Sequence, residues 1–327
     1  MKPKKWIQKG LQFITTMFIL SILVFYMGRL APGDPLRAYY GDGLQRMSTE
    51  KQEQARNRLG LEEPIYHQYM IWIEKAIEGD FGKSFKYKED VTEVISDVYM
   101  NTLILGGTGF ILTFGFALLL GIYCIFHENG LADRVLCKIG TVTSSIPPFW
   151  ISLLLIFIFS VSLRILPSSG AYKIGQKTNL FSRAQHLILP LSVLILSHLW
   201  YFAYIVRNKL SEEIRQEYVR ISKSKGLSKR KIVYGHCIRN IMPTYVSMMA
   251  ISISHILGGT YVIETVFSYP GLGLLSFESA KYHDYNMLMV LTLITGAVVV
   301  ISNMLAQGIN KKLDPRLRDD RGEITWF

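Results

Sequence analysis

Few residues of this 327-residue chain are spaced for chemistry. No nucleophile stands at a motif spacing from a base, and no His, Cys, Asp or Glu cluster has metal-ligand spacing, so neither a catalytic nor a metal residue is expected. Gly82-Lys83-Ser84 ends as a phosphate loop ends, but such a loop needs a glycine five positions before Gly82, where Ile77 stands. Cys124, Cys137 and Cys237 show no pairing pattern and read as reduced packing residues. What remains is of two kinds. Isolated polar groups interrupt apolar runs: His198, His255 and Asn303, with Glu264 at the end of one run. Ionisable groups at membrane depth are costly and tend to face a bundle interior. For His198 and His255 the readings are a hydrogen bond between helices or a wall position in a translocation path. The second kind is a polar, basic stretch from Glu217 to Pro243.

That stretch predicts two short helices separated by a glycine. Glu217 opens the first, where an acid suits the positive end of the helix dipole; Lys223 and Lys225 close it, where cations suit the negative end. Gly226 falls where a left-handed residue ends a helix, and Ser228 is placed to cap the next. The second helix carries Ile232, Val233, Cys237 and Ile238 along one side, with Lys229, Arg230 and Lys231 at its start. Pro243, without a backbone donor, is expected near the start of the following helix. On charge alone, the favoured reading is a basic inside loop that anchors orientation and touches anionic headgroups.

The elements that hold these residues are membrane spans. Half the residues are hydrophobic and the mean hydropathy is +0.24. Apolar runs near the roughly 20 residues needed to cross a bilayer recur along the chain. The reading is an all-α polytopic membrane protein of six transmembrane helices: 11–30, 102–126, 135–163, 187–206, 244–266 and 287–309. A basic start (1–10) precedes the first span, which lacks a cleavage site and is expected to be retained. An insert, 31–101, with its own helices from Ser48 or Thr49 to Arg58 and from Pro64 to Gly79, is expected outside, and the basic stretch lies in an inner segment, 207–243. An outer loop, 267–286, and an inner tail, 310–327, complete the chain. Pro147-Pro148 break the third span; the readings are a kink tolerated by packing, or a break lining a cavity. The net charge of +11 would suit nucleic acid, but its placement does not. Ten Lys and Arg fall between Arg207 and Arg239, four before the first span and five in the tail, against five in the two shorter outer segments. The long insert is discounted because long loops translocate largely regardless of charge.

The basic stretch resembles the EAA loop of ABC-importer permeases. The match is Glu217, Tyr218, Val219, Arg220, Lys225, Gly226, Leu227, His236, Arg239, Asn240 and Pro243. Ser222, Ser224 and Cys237 depart from commoner alanines. The insert is similar to that of B-type subunits in the peptide/nickel branch: Pro32-Gly33-Asp34-Pro35, Leu59-Gly60-Leu61, Pro64, Gln68-Tyr69 and Gly79 to Ser84, with Met100 where proline is usual. The outer loop resembles the family's E-T-V-F…P-G-L-G signature through Glu264, Pro270, Gly271 and Gly273, with His283 and Asn286 as departures. The resemblance implies a permease subunit that forms half of a pore for peptides or, alternatively, for nickel or a metal–chelator complex. It implies a homologous C-type permease, two cytoplasmic ABC ATPases that carry the ATP and magnesium, and an external substrate-binding protein as partners. ATPase coupling would fall to the Glu217–Pro243 residues and an outer-gate role to Glu264, Pro270, Gly271 and Gly273. His198, His255, Pro147 and Pro148 are the candidates for the translocation path. Two other classes, an ATP-independent channel or carrier and a receptor scaffold, are weighed against it; the spans show no acidic or histidine relay for a carrier.

Overall fold

The computed structural model describes residues 3–30, 34–58, 60–142 and 146–313; Pro32, Gly33, Leu59 and the tail beyond 313 lie outside the described residues. Those described are helical, joined by loops and turns, with one isolated antiparallel bridge between Lys83 and Asp90. The helices are α1 (Pro3–Leu30), α2 (Pro35–Tyr40), α3 (Thr49–Arg58), α4 (Ile65–Ile77), α5 (Val91–Phe126), α6 (Leu131–Val142) and α7 (Pro148–Leu155). They continue with α8 (Leu180–Glu213), α9 (Glu217–Ser224), α10 (Lys229–Ile232), α11 (Ile238–Val266), α12 (Leu272–Lys281) and α13 (Tyr285–Leu313). A bilayer interior offers a backbone no hydrogen-bonding water, so apolar segments of this length satisfy their own amides as helices.

Among the described residues, four helices are long and apolar enough to cross a membrane: Ile7–Leu30, α5, α8 and α13. α11 matches α13 at 29 residues, with Ser247, Ser252, Ser254 and Thr260 diluting its apolar character. The run expected as one span over 135–163 is broken: α6 ends at Val142, Pro148 occupies the first turn of α7, and a π-helical turn, Ile156–Ser162, follows. Proline lacks the amide that an uninterrupted helix would need there. The span expected from 102 instead begins at Val91, because no proline or glycine interrupts the chain between Val91 and Leu105. Met100 stands in that stretch. In the insert, α3 and α4 fall where expected, and Gly60 (φ 65°) and Gly79 (φ 89°) follow their ends.

The chain divides into two compact units, residues up to 103 with 268–298, and 104–267 with those from 299 on. In the first, Val91, Val94, Leu275, Met287, Val290 and Leu291 form one apolar cluster; Phe25, Tyr69 and Met289 form another. The Gly82-Lys83-Ser84 stretch has a structural task here. Ser84 donates its hydroxyl to the wholly buried Asp284 carboxylate, which also accepts from the Lys86 amide at 3.2 Å and the Met287 amide at 3.3 Å. The Asn286 amide donates to the Lys83 carbonyl at 3.0 Å. A Cβ on Gly82 (φ 79°) would lie 2.9 Å from that same side-chain nitrogen. The insert therefore grips the start of α13.

In the second unit α5, α6, α8 and α11 approach closely. Phe114 stacks near Phe202 at 4.6 Å, and the Tyr245 hydroxyl donates to the Phe114 carbonyl at 2.5 Å. Of the glycines in α5, Gly109 lies against Leu194 of α8, whereas Gly107 and Gly115 meet nothing within 4 Å. Gly121 is tighter against stiff atoms: a Cβ there would sit 2.6 Å from Val206 Cγ1 and 3.1 Å from the Arg207 amide nitrogen. Gly121→Ala should therefore cost about 1–3 kcal/mol through overpacking, while Gly115→Ala on the same helix should cost nothing. Thermal unfolding of the two variants in one detergent measures the difference; equal midpoints would contradict the packing account.

Candidate functional site

The basic stretch folds as an elbow between α8 and α11. α9 spans Glu217 to Ser224, as the charge pattern predicts, and turns through Gly226 at φ 76°. The Leu227 amide donates to the Ser222 carbonyl at 3.2 Å and the Gly226 amide to the Lys223 carbonyl at 2.9 Å. This paired closure needs a left-handed residue, which glycine supplies without strain. The Ser228 hydroxyl then accepts the Lys231 amide at 3.4 Å and caps α10. Val219, Ile232, Val233 and Cys237 are buried, so the apolar side read from the sequence anchors the elbow. Pro243 departs from expectation. It lies at the sixth position of α11, inside the helix, after a π-helical turn at Val233–Cys237. The helix begins earlier than expected because nothing between Lys229 and Asn240 breaks it.

Three polar ties fix the elbow. Glu213, at the end of α8, takes two hydrogen bonds on one oxygen: from the Tyr218 hydroxyl at 2.7 Å and the Asn240 side-chain amide at 2.8 Å. Burial, helped by that bond to Glu213, pushes the Tyr218 pKa well up, so its hydroxyl stays protonated and able to donate at neutral pH. Lys229 donates to the Ile125 carbonyl at 2.6 Å, satisfying an acceptor that the end of α5 leaves open, and lies 5.6 Å over the Phe126 ring. The third tie is bidentate. Arg207 donates to both oxygens of Asp133 at 2.7 and 2.9 Å, with the side chains 15% and 3% exposed. Sequence reasoning missed Glu213, Asp133, Arg207 and Lys229 as partners because they lie far apart in the chain. A Glu or Lys at the end of a long helix was the available signal.

Outward the elbow shows charge. Glu217, Arg220, Lys225, Gly226, Arg239 and Asn240 are exposed, while Tyr218, Leu227 and Pro243 are half-buried. Ile221 (56% exposed) and Tyr234 (58%) are apolar side chains left open to solvent on the same basic stretch.

Above the elbow, α7, α8 and α11 enclose a cavity of about 670 Å³. His198 and Pro148 line it, with Ser197, Tyr201, Thr244, Ser247 and Ser252 among its polar neighbours. A carbonyl can only accept, so the Leu194 carbonyl, 3.0 Å away, fixes the proton of neutral His198 on Nδ1. The His198 ring lies nearly parallel to Phe202. Pro147 precedes α7, and the His255 side chain lies outside the described residues. The outer-loop residues are not among those that line this cavity. Glu264, at the end of α11, is fully buried. The Pro270 carbonyl accepts from Asn101 at 2.8 Å. Gly271 is extended at φ −151° and precedes α12, and Gly273 lies inside that helix. Neither glycine takes a positive φ; the loop's positive φ values are at Ser268 (45°) and His283 (56°).

Membrane-length helices, a central cavity and a basic elbow between two of the cavity-lining helices define a membrane transport component. The chain belongs to the family of binding-protein-dependent transport system inner membrane components, whose model matches residues 117–319. The model of that family's N-terminal part matches residues 4–106. It is 30% identical to the oligopeptide transport system permease protein AppB of Bacillus subtilis (strain 168), over 95% of this chain and 98% of that one. It is 32% identical to the glutathione transport system permease protein GsiC of Escherichia coli (strain K12), over 95% and 98%. The fold is similar to a chain of the MetNI methionine ABC transporter in an inward-facing conformation. The TM-score is 0.53 at 18% identity, covering 68% of this chain and 96% of that one.

Asp133→Ala should lower stability by roughly 3–5 kcal/mol, because it leaves Arg207 charged and unpaired in a buried place. Hydrogen bonds from Arg207, outweighing burial, hold the Asp133 carboxyl below its ordinary value. The tie is therefore complete at neutral pH and fades as the pH falls from about 4 through that lowered value. Unfolding midpoints of the two proteins between neutral and acid pH check both statements: the gap should close on acidification.

Proposed function

We propose that this chain is a B-type permease subunit of an importer driven by ATP hydrolysis on partner ABC ATPases, and that it forms half of a pore for peptides. Six spans cross the bacterial cell membrane: the four longest apolar helices, α11, and the broken α6–α7 segment. The start of α1 and the elbow face the cytoplasm, where the positive charge gathers. A homologous C-type permease completes the pore, and an external binding protein delivers substrate. ATP and magnesium belong to the two ATPases; this chain binds neither.

The observation that carries the reading is the elbow itself. Glu217, Arg220, Lys225, Gly226, Leu227, Arg239, Asn240 and Pro243 stand in the order of an EAA loop, on a segment tied through Glu213 to both α8 and α11. ATP binding would draw the ATPases together and pull on this elbow, and α8 and α11 would move with it to reopen the cavity on the other side. Peptide is preferred to a metal ion because the residues lining the cavity offer hydroxyls and aromatic rings without carboxylates. Hydroxyls suit the amides of a peptide, whereas a nickel ion wants several nitrogen or oxygen ligands together and this lining offers a single imidazole, His198. Relatives named for oligopeptides and glutathione support the same choice.

Deleting the gene and supplying labelled di- to hexapeptides and, separately, trace labelled nickel with and without chelators tests the substrate. Loss of peptide uptake is expected; loss of metal uptake alone would sink the peptide reading. Gly226→Pro tests coupling, since proline cannot take φ 76°. Uptake should fall at least about tenfold, a change of some 1.4 kcal/mol, in complexes that still assemble. Normal uptake in such complexes would remove the elbow from the mechanism.

A further inference from the structure

At the outer end of α1, in the first unit, a half-enclosed recess of about 20 Å³ lies among Val24, Gly28, Arg29, Trp72, Tyr285 and Asn286. That is room for about one oxygen-sized atom. Two of its lining side chains carry buried donors without an acceptor: Arg29 Nη1 and Trp72 Nε1. Neither can serve the other, because guanidinium and indole N–H groups only donate. Leaving such donors bare is costly, most of all for a charged group. The Arg29 guanidinium sits 5.2 Å over the Phe25 ring, and Trp72 packs near Phe25, Tyr69 and Phe81, so both are held in place. An oxygen that accepts two hydrogen bonds and carries negative charge is the group that suits two such donors.

Position selects the source. Arg29 follows directly on the apolar run that ends at Met27 and Gly28, and Tyr26, Trp72 and Tyr285 surround it. Aromatic residues with a polar edge and a cation at the end of a span mark the headgroup level of a bilayer. Phosphate oxyanions are abundant there. We propose that this recess seats a phosphate oxygen of a phospholipid headgroup, with Arg29 and Trp72 donating to it. The lipid would then brace α1 against α4 and the start of α13, and it is separate from both the elbow and the cavity.

The test uses the full chain, delipidated in a maltoside detergent that carries no phosphate. Thermal midpoints are measured alone, with phosphatidylglycerol, with inorganic phosphate, and with a diacyl glucoside that has the tails but no phosphate. Phosphatidylglycerol should raise the midpoint and the glucoside should not. Stabilisation by both lipids alike would overturn the site, since tails alone would then explain it. Stabilisation by inorganic phosphate with none by phosphatidylglycerol would overturn the lipid source. Trp72→Phe keeps the ring and removes the donor, and Arg29→Lys keeps the charge and removes the fork. Each should lower phosphatidylglycerol retention, read by native mass spectrometry, by about tenfold. Unchanged retention in both would overturn the assignment of the donors. The wild-type comparison of the two lipids stands even where a variant folds poorly.

Discussion

One oxygen of one carboxylate holds the basic elbow to both helices that flank it. Glu213 Oε1 receives the Tyr218 hydroxyl from α9 and the Asn240 amide from the start of α11, while Glu213 itself ends α8. Three helix segments meet on that atom. Hydrogen bonds to a charged acceptor are worth more than neutral ones, roughly 1.5–3 kcal/mol each. The geometry matters more than the sum. A loop joined to its neighbours only at its two ends can flex without moving them, whereas this one is pinned in its middle. Any displacement of α9 must be shared by α8 and α11, or the Glu213 bonds must break.

The other ties extend the pinned body. Lys229 reaches the last open carbonyls of α5, and Asp133 joins the start of α6 to α8 through Arg207. Both lie where the apolar parts of the helices end, so the polar groups bond inside the protein without entering hydrocarbon. A buried pair of this kind is poor evidence of stability in itself, because desolvation offsets much of the attraction. Its value is specificity of placement. The bidentate fork allows one orientation of Arg207, and hence one register of α6 against α8. The absence of a side chain at Gly121 lets α5 come close to that same turn, at Val206 and the Arg207 amide.

Much of this was legible in the sequence, and the part that was not has a single cause. Gly226 and Ser228 announce their roles locally, since a left-handed closure and an N-cap depend on residues a few positions away. Both are found in those roles. The insert helices α3 and α4 were legible for the same reason. Asp133 and Arg207 are 74 positions apart, Lys229 and Ile125 are 104, and Ser84 and Asp284 are 200. No spacing rule reaches that far. The Gly82-Lys83-Ser84 stretch shows the consequence: the local pattern excluded a phosphate loop but gave no sign of its task, which is set where Asn286 crosses Gly82. Gly271 and Gly273 erred in the other direction. Glycines usually mark turns, but here they open a helix, and the loop's left-handed residues are Ser268 and His283.

The helices pinned at Glu213 are also those that wall the cavity. α8 contributes Ser197, His198, Tyr201, Phe202 and Ile205, and α11 contributes Thr244, Ser247, Met248, Ile251 and Ser252. On α11 Thr244, in the wall, stands only four positions after Asn240, in the clamp, a rise of about 6 Å. Pro243 falls between them, and the π-helical turn at Val233–Cys237 lies just before. Each removes or displaces a helical hydrogen bond, so the stiffness of the connection is lowest along this stretch. A pull on the elbow through α8 would meet an unbroken helix from Glu213 up to Pro190; the same pull through α11 would meet a joint at its base. The two walls would therefore not move alike. Rotation of one against the other changes the width of the cavity, whereas equal translation of both would carry the cavity along unchanged. An asymmetric pair of levers, pinned at one carboxylate, would turn a pull at the surface into a change of shape within.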